Sequence, residues 1–392
     1  MRKAGLVPFV VAALAMVPTA SAHGLGTVTN EWIHLVVVFQ VVTLLGFAIA
    51  AASAWFSRTR WSTRPRRTVT GIVAGVGVAM VGTVAMTQIQ LLPYGTTPSP
   101  VLRAWYPRIA FVAGSTITLG SLAVGWRYWF DRPRYWLLGV LLGQWVLYPA
   151  VMPRQGVTNP LGYVLVAAVV VAIGDVVWRD VRPALSRAVV GQFARRVGIA
   201  TAVLFGVFYL FSAGLLTVNP EDGVNAPTHA FVTVTSFSNP LVMWPAVEFG
   251  APSLPFFPGL SVGTVLVIGL LAGLVGINAS LMTVGWLDEI ELAPSEGVAG
   301  VAATTGATAC CCCGPAVYAM VSGVFGVVAS PLFWAFTDPT SPFGALFFVS
   351  SVALLTGSSV RLTRSLADAG ACRLSGGPAP SEQVAGVHGG NE

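Results

Sequence analysis

The chain has 392 residues, of which 55% are hydrophobic and 9% are charged, and its formal net charge is +6. A soluble protein needs about a quarter charged residues to cover its surface, so this composition excludes a soluble globule and indicates that lipid surrounds much of the protein. The basic residues occur in short clusters between apolar segments. That pattern is typical of membrane topology and argues against nucleic-acid binding.

Residues 1–22 have the features of a secretory signal peptide. A basic start precedes an apolar segment, and the small residues 19–22 form a cleavage pattern. Cleavage there would make His23 the mature N-terminus, where its amine and imidazole could bind Cu(II). The alternatives are an ordinary surface histidine and an uncleaved segment that adds one span.

Nine apolar segments follow, each long enough, or nearly so, to cross a hydrocarbon core of about 30 Å as a helix. Backbone groups find no water inside a bilayer, so the sequence predicts an all-α polytopic helix bundle of about nine spans, or ten with the signal segment. The predicted spans are 32–56, 70–92, 108–126, 136–152, 161–178, 197–217, 261–286, 315–336 and 343–360.

The segments between the spans divide the chain into regions. Six spans belong to 23–217, a long extracytoplasmic loop to 218–260, and three spans to 261–364. Residues 180–196 are predicted to form a basic amphipathic helix on the membrane surface. The tail 365–392 is rich in Gly, Ala, Pro and Ser and lacks hydrophobic periodicity, which predicts a disordered cytoplasmic tail.

The distribution of arginine predicts the orientation. Arginine clusters follow the first, third, fifth and last spans, whereas the opposite loops hold few. Because the arginine-rich side of a membrane protein is usually cytoplasmic, we expect a multi-pass protein of the cell membrane with His23 outside and the C-terminus inside.

Four adjacent cysteines precede Gly314-Pro315. They are Cys310, Cys311, Cys312 and Cys313. The nearly uncharged segment 298–335 around them would reach about 57 Å as one helix, so a break is expected, and Pro315 is suited to the first turn of a new helix. The start of a helix favours thiolates, and adjacent thiolates are soft ligands for Cu(I), Zn(II) or Hg(II).

Two other uses of these thiols remain open. They could cycle between thiol and disulfide in a membrane redox protein, or pack as small side chains in a non-catalytic membrane subunit. Thiol-electron transporters of the CcdA type also place cysteines near prolines. Those proteins need two separated cysteines in different spans, and the other predicted spans contain none; Cys372 lies in the tail.

The segment GATACCCCGP at 306–315 resembles the vicinal-cysteine helix of the mercuric-ion transport proteins, the MerT family. The likeness continues through 321–323 and 338–339 to the basic end at 361–364, about 65 residues in all. In that family the paired cysteines accept a soft metal ion and pass it inward, so Cys311 and Cys312 would be the accepting pair. The resemblance implies a transporter rather than an enzyme, one that works with a metal-donor protein or with membrane partner subunits.

Acidic residues near the membrane offer weaker candidates. Asp175, near the end of its span, is predicted to be an interfacial residue rather than a proton relay. An outer set has mixed ligand character, but its spacing matches no metal motif. The set is Glu221, Asp222, His229, Met243 and Glu248.

Overall fold

The structure is a computed structural model that describes residues 35–58, 65–89, 99–152, 158–213, 215–218, 229–237, 240–250, 256–287, 334–335 and 341–374. Long helices dominate these residues. They are α1 (Leu35–Arg58), α2 (Pro65–Ile89), α3 (Pro100–Tyr128), α4 (Pro133–Val151), α5 (Pro160–Val176), α6 (Arg182–Val190), α7 (Gln192–Ser212), α8 (Val262–Leu287) and α9 (Pro342–Leu374).

In the described part of the chain, seven helical segments are long and apolar enough to cross a membrane. They are Val38–Trp55, Arg66–Met86, Pro100–Tyr128, Pro160–Val190, Gln192–Ser212, Val262–Leu287 and Pro342–Asp368. Each coincides with a predicted span, so the prediction of a helical bundle with several membrane spans is confirmed. Of the two remaining predicted spans, 136–152 corresponds to the less apolar helix α4. The other, 315–336, lies outside the described residues except for 334–335.

Successive helices form antiparallel hairpins that approach closely at glycine. A Cβ atom on Gly46 of α1 would lie 2.2 Å from the backbone nitrogen of Ala79 in α2. In the same way, a Cβ atom on Gly114 of α3 would lie 2.6 Å from the backbone nitrogen of Leu147 in α4. Small residues allow such backbone contact between membrane helices, where packing rather than the hydrophobic effect drives association.

A π-helix, Val177–Val181, continues α5 without a break into α6. Proline at 183 has no N–H to donate to the preceding turn, and the wider π-turn carries the helix up to it. Gly191 then separates α6 from α7. The predicted surface helix 180–196 is therefore divided among three helical elements.

A four-stranded antiparallel sheet joins α7 to α8. Its strands, in the order β1-β4-β3-β2, are β1 (Leu216–Val218), β2 (Phe231–Phe237), β3 (Trp244–Gly250) and β4 (Phe256–Ser261). Val234 pairs with Val247, which pairs on its other side with Leu260. The sequence had predicted a loop over 218–260 in an all-α protein. The sheet is an addition to that architecture, and the β-branched residues of β2 favour it.

The sheet lies at one end of the bundle, where α5 and α8 begin. The hydroxyl of Tyr163, in the first turn of α5, donates a hydrogen bond to the carbonyl oxygen of Met243. The indole of Trp244 in β3 stands edge-on to the Tyr163 ring, and it also lies against Gly263 at the start of α8. These contacts define the sheet end of the bundle.

Helix α9 also begins at the sheet end, because it runs antiparallel to α4. Phe348 near its start stacks on Trp145 of α4 with ring centroids 4.6 Å apart, and Arg364 bonds to Tyr135 at the opposite end. The helix continues to Leu374, so residues 365–374, predicted as part of the disordered tail, are helical. The buried side chain of Leu366 anchors this extension.

Candidate functional site

The cysteine quartet lies outside the described residues, as does His23. The prediction of a soft-metal site at Cys310, Cys311, Cys312, Cys313 and His23 therefore stays a prediction. Within the described part of the chain, no group of three or more His, Cys, Asp or Glu could hold a metal ion. What the structure does describe is the pair of helices between which the quartet lies in the chain, α8 and α9.

Asn278 makes a buried polar contact between α8 and α9. Its amide nitrogen lies 2.8 Å from the carbonyl oxygen of Leu274, 3.0 Å from that of Leu355 and 2.8 Å from the hydroxyl of Ser359, so its two hydrogens are shared among three acceptors. The side chain has no solvent exposure. A polar group inside an apolar helix is costly unless it is hydrogen-bonded, so this contact links the two helices at a defined register.

Among the described residues, two buried side-chain atoms of α8 and α9 have no hydrogen-bond partner. They are the amide oxygen of Asn278 and the hydroxyl of Thr356 on α9. The orientation of the Asn278 amide follows from its contacts, because only the NH2 group can face the two carbonyl oxygens. Unsatisfied buried polar groups are rare in folded proteins, and they mark this interface as a polar position inside the bundle.

Hydroxyl groups continue along α9 on both sides of this contact. Five of them are less than a tenth exposed, and half of the residues in the apolar part of α9 are buried, the largest share among the seven candidate spans. The buried hydroxyl residues are Ser351, Thr356, Ser358, Ser359 and Thr363. Helix α9 is therefore enclosed by other parts of the protein more than the other candidate spans, and it carries polar groups to that enclosed position.

An ion pair holds the other end of the bundle together. Arg134 of α4 donates two hydrogen bonds to the carboxylate of Asp180 in the π-helix, at 2.7 Å from Nε and 2.5 Å from Nη2. The hydroxyl of Tyr135 donates to the same carboxylate at 3.0 Å, and Arg364 of α9 donates to the Tyr135 oxygen at 3.3 Å. This bidentate, charge-assisted arrangement connects three helical elements.

Asp175 has a simpler partner. It accepts a hydrogen bond of 2.6 Å from Arg179, one helical turn further along, and both side chains are exposed. The pairing fits the predicted interfacial role, since a proton relay needs a partner on another helix or along a buried path.

The outer set of ligand candidates does not converge in the described residues. Glu248 lies on β3 in a cleft of about 280 Å³ with Phe231, Phe237 and Phe249. The observed contact of Met243 is made by its backbone carbonyl oxygen, which accepts a hydrogen bond from the hydroxyl of Tyr163. The cleft is therefore mainly aromatic, with one carboxylate.

Asn278 and Ser359 were not singled out in the sequence. The available signal was an asparagine in the otherwise apolar α8, because polar residues in spans face the bundle interior. Its partner lies 81 residues away, and local sequence carries no information on that pairing. Comparisons with protein-family models, curated proteins and solved structures gave no significant match.

Proposed function

We propose that this protein is a multi-pass membrane protein that transports or handles a soft metal ion through thiolates of Cys310, Cys311, Cys312 and Cys313. The observation that best supports this role is the direction of the two helices around the quartet. Both α8 and α9 begin at the sheet end of the bundle. The chain that joins them must therefore return from one end of the bundle to the other.

The distances favour a return that crosses the membrane. Helix α8 has 26 residues and is about 39 Å long, enough to span a bilayer. Leu287 therefore lies at the opposite end of the bundle from Pro342. The connection 288–341 has to cover that distance, and it contains both the quartet and Pro315. A crossing that begins at Pro315 has the cysteines just before its first turn.

Chemistry favours a metal ion as the cargo. Adjacent thiolates bind soft cations such as Cu(I), Zn(II) and Hg(II), and the positive end of a helix favours the thiolate form. The resemblance to the vicinal-cysteine region of the mercuric-ion transport proteins points the same way. We further propose that the ion comes from a metal-donor protein or a membrane partner subunit, and that His23 binds copper after a signal peptide, 1–22, is removed.

The proposed topology has nine spans, completed by α4 and by the crossing in 288–341. Arginine supports the orientation, because among the described residues the end opposite the sheet is far richer in it. That end carries Arg66, Arg67, Arg127, Arg132, Arg134, Arg179, Arg182, Arg187, Arg195, Arg196, Arg361 and Arg364, against Arg103 and Arg108 near the other end. We therefore propose that the protein lies in the cell membrane with its C-terminus in the cytoplasm and its sheet on the outer side.

Replacing all four quartet cysteines by serine tests the function. Cells that make the variant are expected to lose the accumulation of copper, zinc or mercury seen with the wild type, while Cys372→Ser serves as a matched control and keeps it. Unchanged accumulation of all three metals, with no labelling of the quartet by impermeant thiol reagents from either side, would overturn the proposal. A metal-independent redox shift of the quartet on gels would instead support the redox alternative.

A further inference from the structure

A groove runs along the outer surface of the hairpin formed by α3 and α4. Its volume is about 360 Å³, and it extends from Thr116 past Gly120 to Trp129, with Tyr135 and Trp136 on its second wall. Thr116 and Gly120 are exposed and lie one helical turn apart. In a membrane protein this exposed stripe faces lipid rather than water.

Glycine shapes both the walls and the floor of the groove. A Cβ atom on Gly139 of α4 would lie 2.3 Å from the hydroxyl of Ser121, so the two helices touch along that line. A Cβ atom on Gly125 would lie 2.3 Å from the side chain of Trp136, which therefore lies directly against α3. At Gly120, none of the described residues lies within 4 Å of the position that a side chain would take. The open space over Gly120 is the floor of the groove.

The length of the groove matches one leaflet of a bilayer. The thirteen helical residues from Thr116 to Tyr128 cover about 20 Å, and half of a hydrocarbon core is about 15 Å. The groove ends at the tip of the hairpin in aromatic side chains, with the rings of Trp129 and Tyr135 5.7 Å apart. Such rings lie at the level of lipid headgroups, so the remainder of the groove lies at the depth of acyl chains.

The charge at the aromatic end is positive. Arg127 and Arg132 flank Trp129 in the sequence, and Arg364 donates a hydrogen bond to the hydroxyl of Tyr135, a residue of the groove wall. Asp131 is the one acidic residue in this turn of the hairpin, and the nearby Arg134 is already neutralised by Asp180. Among the described residues, Arg127, Arg132 and Arg364 therefore leave a net positive charge beside the groove.

We propose that this groove is a binding site for an anionic phospholipid of the arginine-rich leaflet. One acyl chain lies over Gly120 between α3 and α4, and the phosphate lies among Arg127, Arg132 and Arg364 beside the aromatic end. The site is independent of the cysteine quartet and of any metal. Its specificity comes from charge, since each basic residue near the surface adds attraction for anionic lipid.

The test uses the full chain reconstituted in equal amounts of phosphatidylglycerol and phosphatidylcholine with the same acyl chains, followed by native mass spectrometry of retained lipid. The wild type is expected to retain phosphatidylglycerol preferentially. The double variant Arg127→Gln/Arg132→Gln should lower that preference by about fivefold for each arginine removed. The matched control Arg195→Gln/Arg196→Gln removes two exposed arginines from the same end of the bundle and should keep it.

Variants that fill the groove distinguish lipid binding in the groove from general attraction to the surface charge. Gly120→Leu should abolish retention of phosphatidylglycerol, and Gly120→Ala should weaken it. Gly174→Leu, at another exposed helical glycine with open space around it, should have no effect. Thermal melting of each variant checks that it is folded, and Gly120→Ala, the smaller change, decides the matter should Gly120→Leu misfold.

Three outcomes of these retention measurements would each overturn the proposal. They are equal retention of the two lipids by the wild type, unchanged retention in Gly120→Leu and Gly120→Ala, and an equal loss in the Arg195/Arg196 control. Soluble glycerophosphoglycerol should not displace the bound lipid. If it does, the site binds a free phosphate group and the acyl-chain groove is not part of it.

Discussion

The amide nitrogen of Asn278 in α8 and the hydroxyl of Ser359 in α9 are 2.8 Å apart, and they join the two helices between which the cysteine segment runs. Ser359 also donates to the carbonyl oxygen of Leu355 one turn earlier, at 2.9 Å. The pair therefore fixes the relative register of α8 and α9.

Removing this contact should destabilise the protein by a modest amount. Interhelical hydrogen bonds in membrane proteins contribute about 0.6 kcal/mol on average and up to about 1.7 kcal/mol, so Ser359→Ala is expected to lower the free energy of unfolding within that range. Unfolding in detergent mixtures with increasing dodecyl sulfate measures it. Ser365→Ala is the matched control, because that partly exposed hydroxyl on the same helix also bonds to the carbonyl one turn back.

A double-mutant cycle isolates the pair itself. The combined variant Asn278→Ala/Ser359→Ala should be less destabilised than the sum of the single variants, by the same few tenths to 1.7 kcal/mol, because the shared bond is lost only once. Strict additivity would show that the hydroxyl and the amide contribute independently, and it would contradict the role of this bond in fixing the register.

The ion pair at the opposite end of the bundle should contribute more than its exposed neighbour. Asp180→Asn removes the charge that Arg134 binds with two hydrogen bonds, and both side chains are largely shielded from solvent. We expect a loss of about 1.5–3 kcal/mol in the free energy of unfolding, since charged hydrogen bonds of this kind lie in that range. The exposed pair Arg179–Asp175 gives the comparison, and Asp175→Asn should cost at most about 0.5 kcal/mol.

Salt provides the second readout for these two carboxylates. The effect of Asp175→Asn should vanish at high ionic strength, whereas that of Asp180→Asn should persist, because partly buried pairs are screened less. Equal costs for the two substitutions at both salt concentrations would mean that the bidentate geometry adds nothing to stability.

Hydropathy alone predicts most of the bundle, since seven predicted spans coincide with apolar helices. The hydropathy signal is weakest for α4, in which Arg134, Gln144 and several aromatic residues lower the mean hydropathy. The helix nevertheless packs among α3, α5 and α9, with Trp145 and Val146 buried. An aromatic-rich helix enclosed by others does not need the uniform apolar surface of a lipid-facing one.

The sheet and the buried contacts could not be predicted from the sequence, for two different reasons. Strand β2 has the alternating residues Val232, Thr233, Val234 and Thr235, a strand signal that was outweighed by the Pro and Asn around it. The pairing of Asn278 with Ser359 depends on which helices become neighbours. That is a property of the packed bundle, so no local pattern encodes it.

Alanine substitutions at Gly46 and Gly269 should change the stability of the protein in opposite directions. Gly46→Ala would place a methyl group 2.2 Å from the backbone nitrogen of Ala79, so α1 and α2 would have to separate. We expect a loss of at least about 1–3 kcal/mol, typical of overpacking. Gly269→Ala in α8 meets open space and should be neutral or stabilising by up to about 1 kcal/mol, because alanine is the better helix former.

Unfolding in dodecyl sulfate mixtures measures both glycine variants. A separated α1–α2 hairpin should also be cut faster by protease in the connection 59–64. If Gly46→Ala is as stable as Gly269→Ala, the close backbone contact between α1 and α2 is not present in the membrane.

The number of spans depends on α4, and single cysteines at its two ends test it. In a chain whose own cysteines are replaced by serine, Asp131→Cys lies before α4, and Thr158→Cys lies after it at the sheet end. Val232→Cys, 74% exposed on β2, reports the sheet itself. If α4 crosses the bilayer with the arginine-rich end inside, an impermeant maleimide should label Thr158→Cys and Val232→Cys from outside. Asp131→Cys should react only in inverted vesicles.

The physical reason for this expectation is the pairing of the helix ends. Arg134 and Asp180 hold the start of α4 and the π-helix together at one end, while Tyr163 and Met243 join α5 to the sheet at the other. The two ends of α5 are thus fixed on opposite sides, and α4 lies antiparallel beside it. Labelling of Asp131→Cys and Thr158→Cys from the same side would exclude α4 as a span, and the topology would then have eight crossings with the termini on one side.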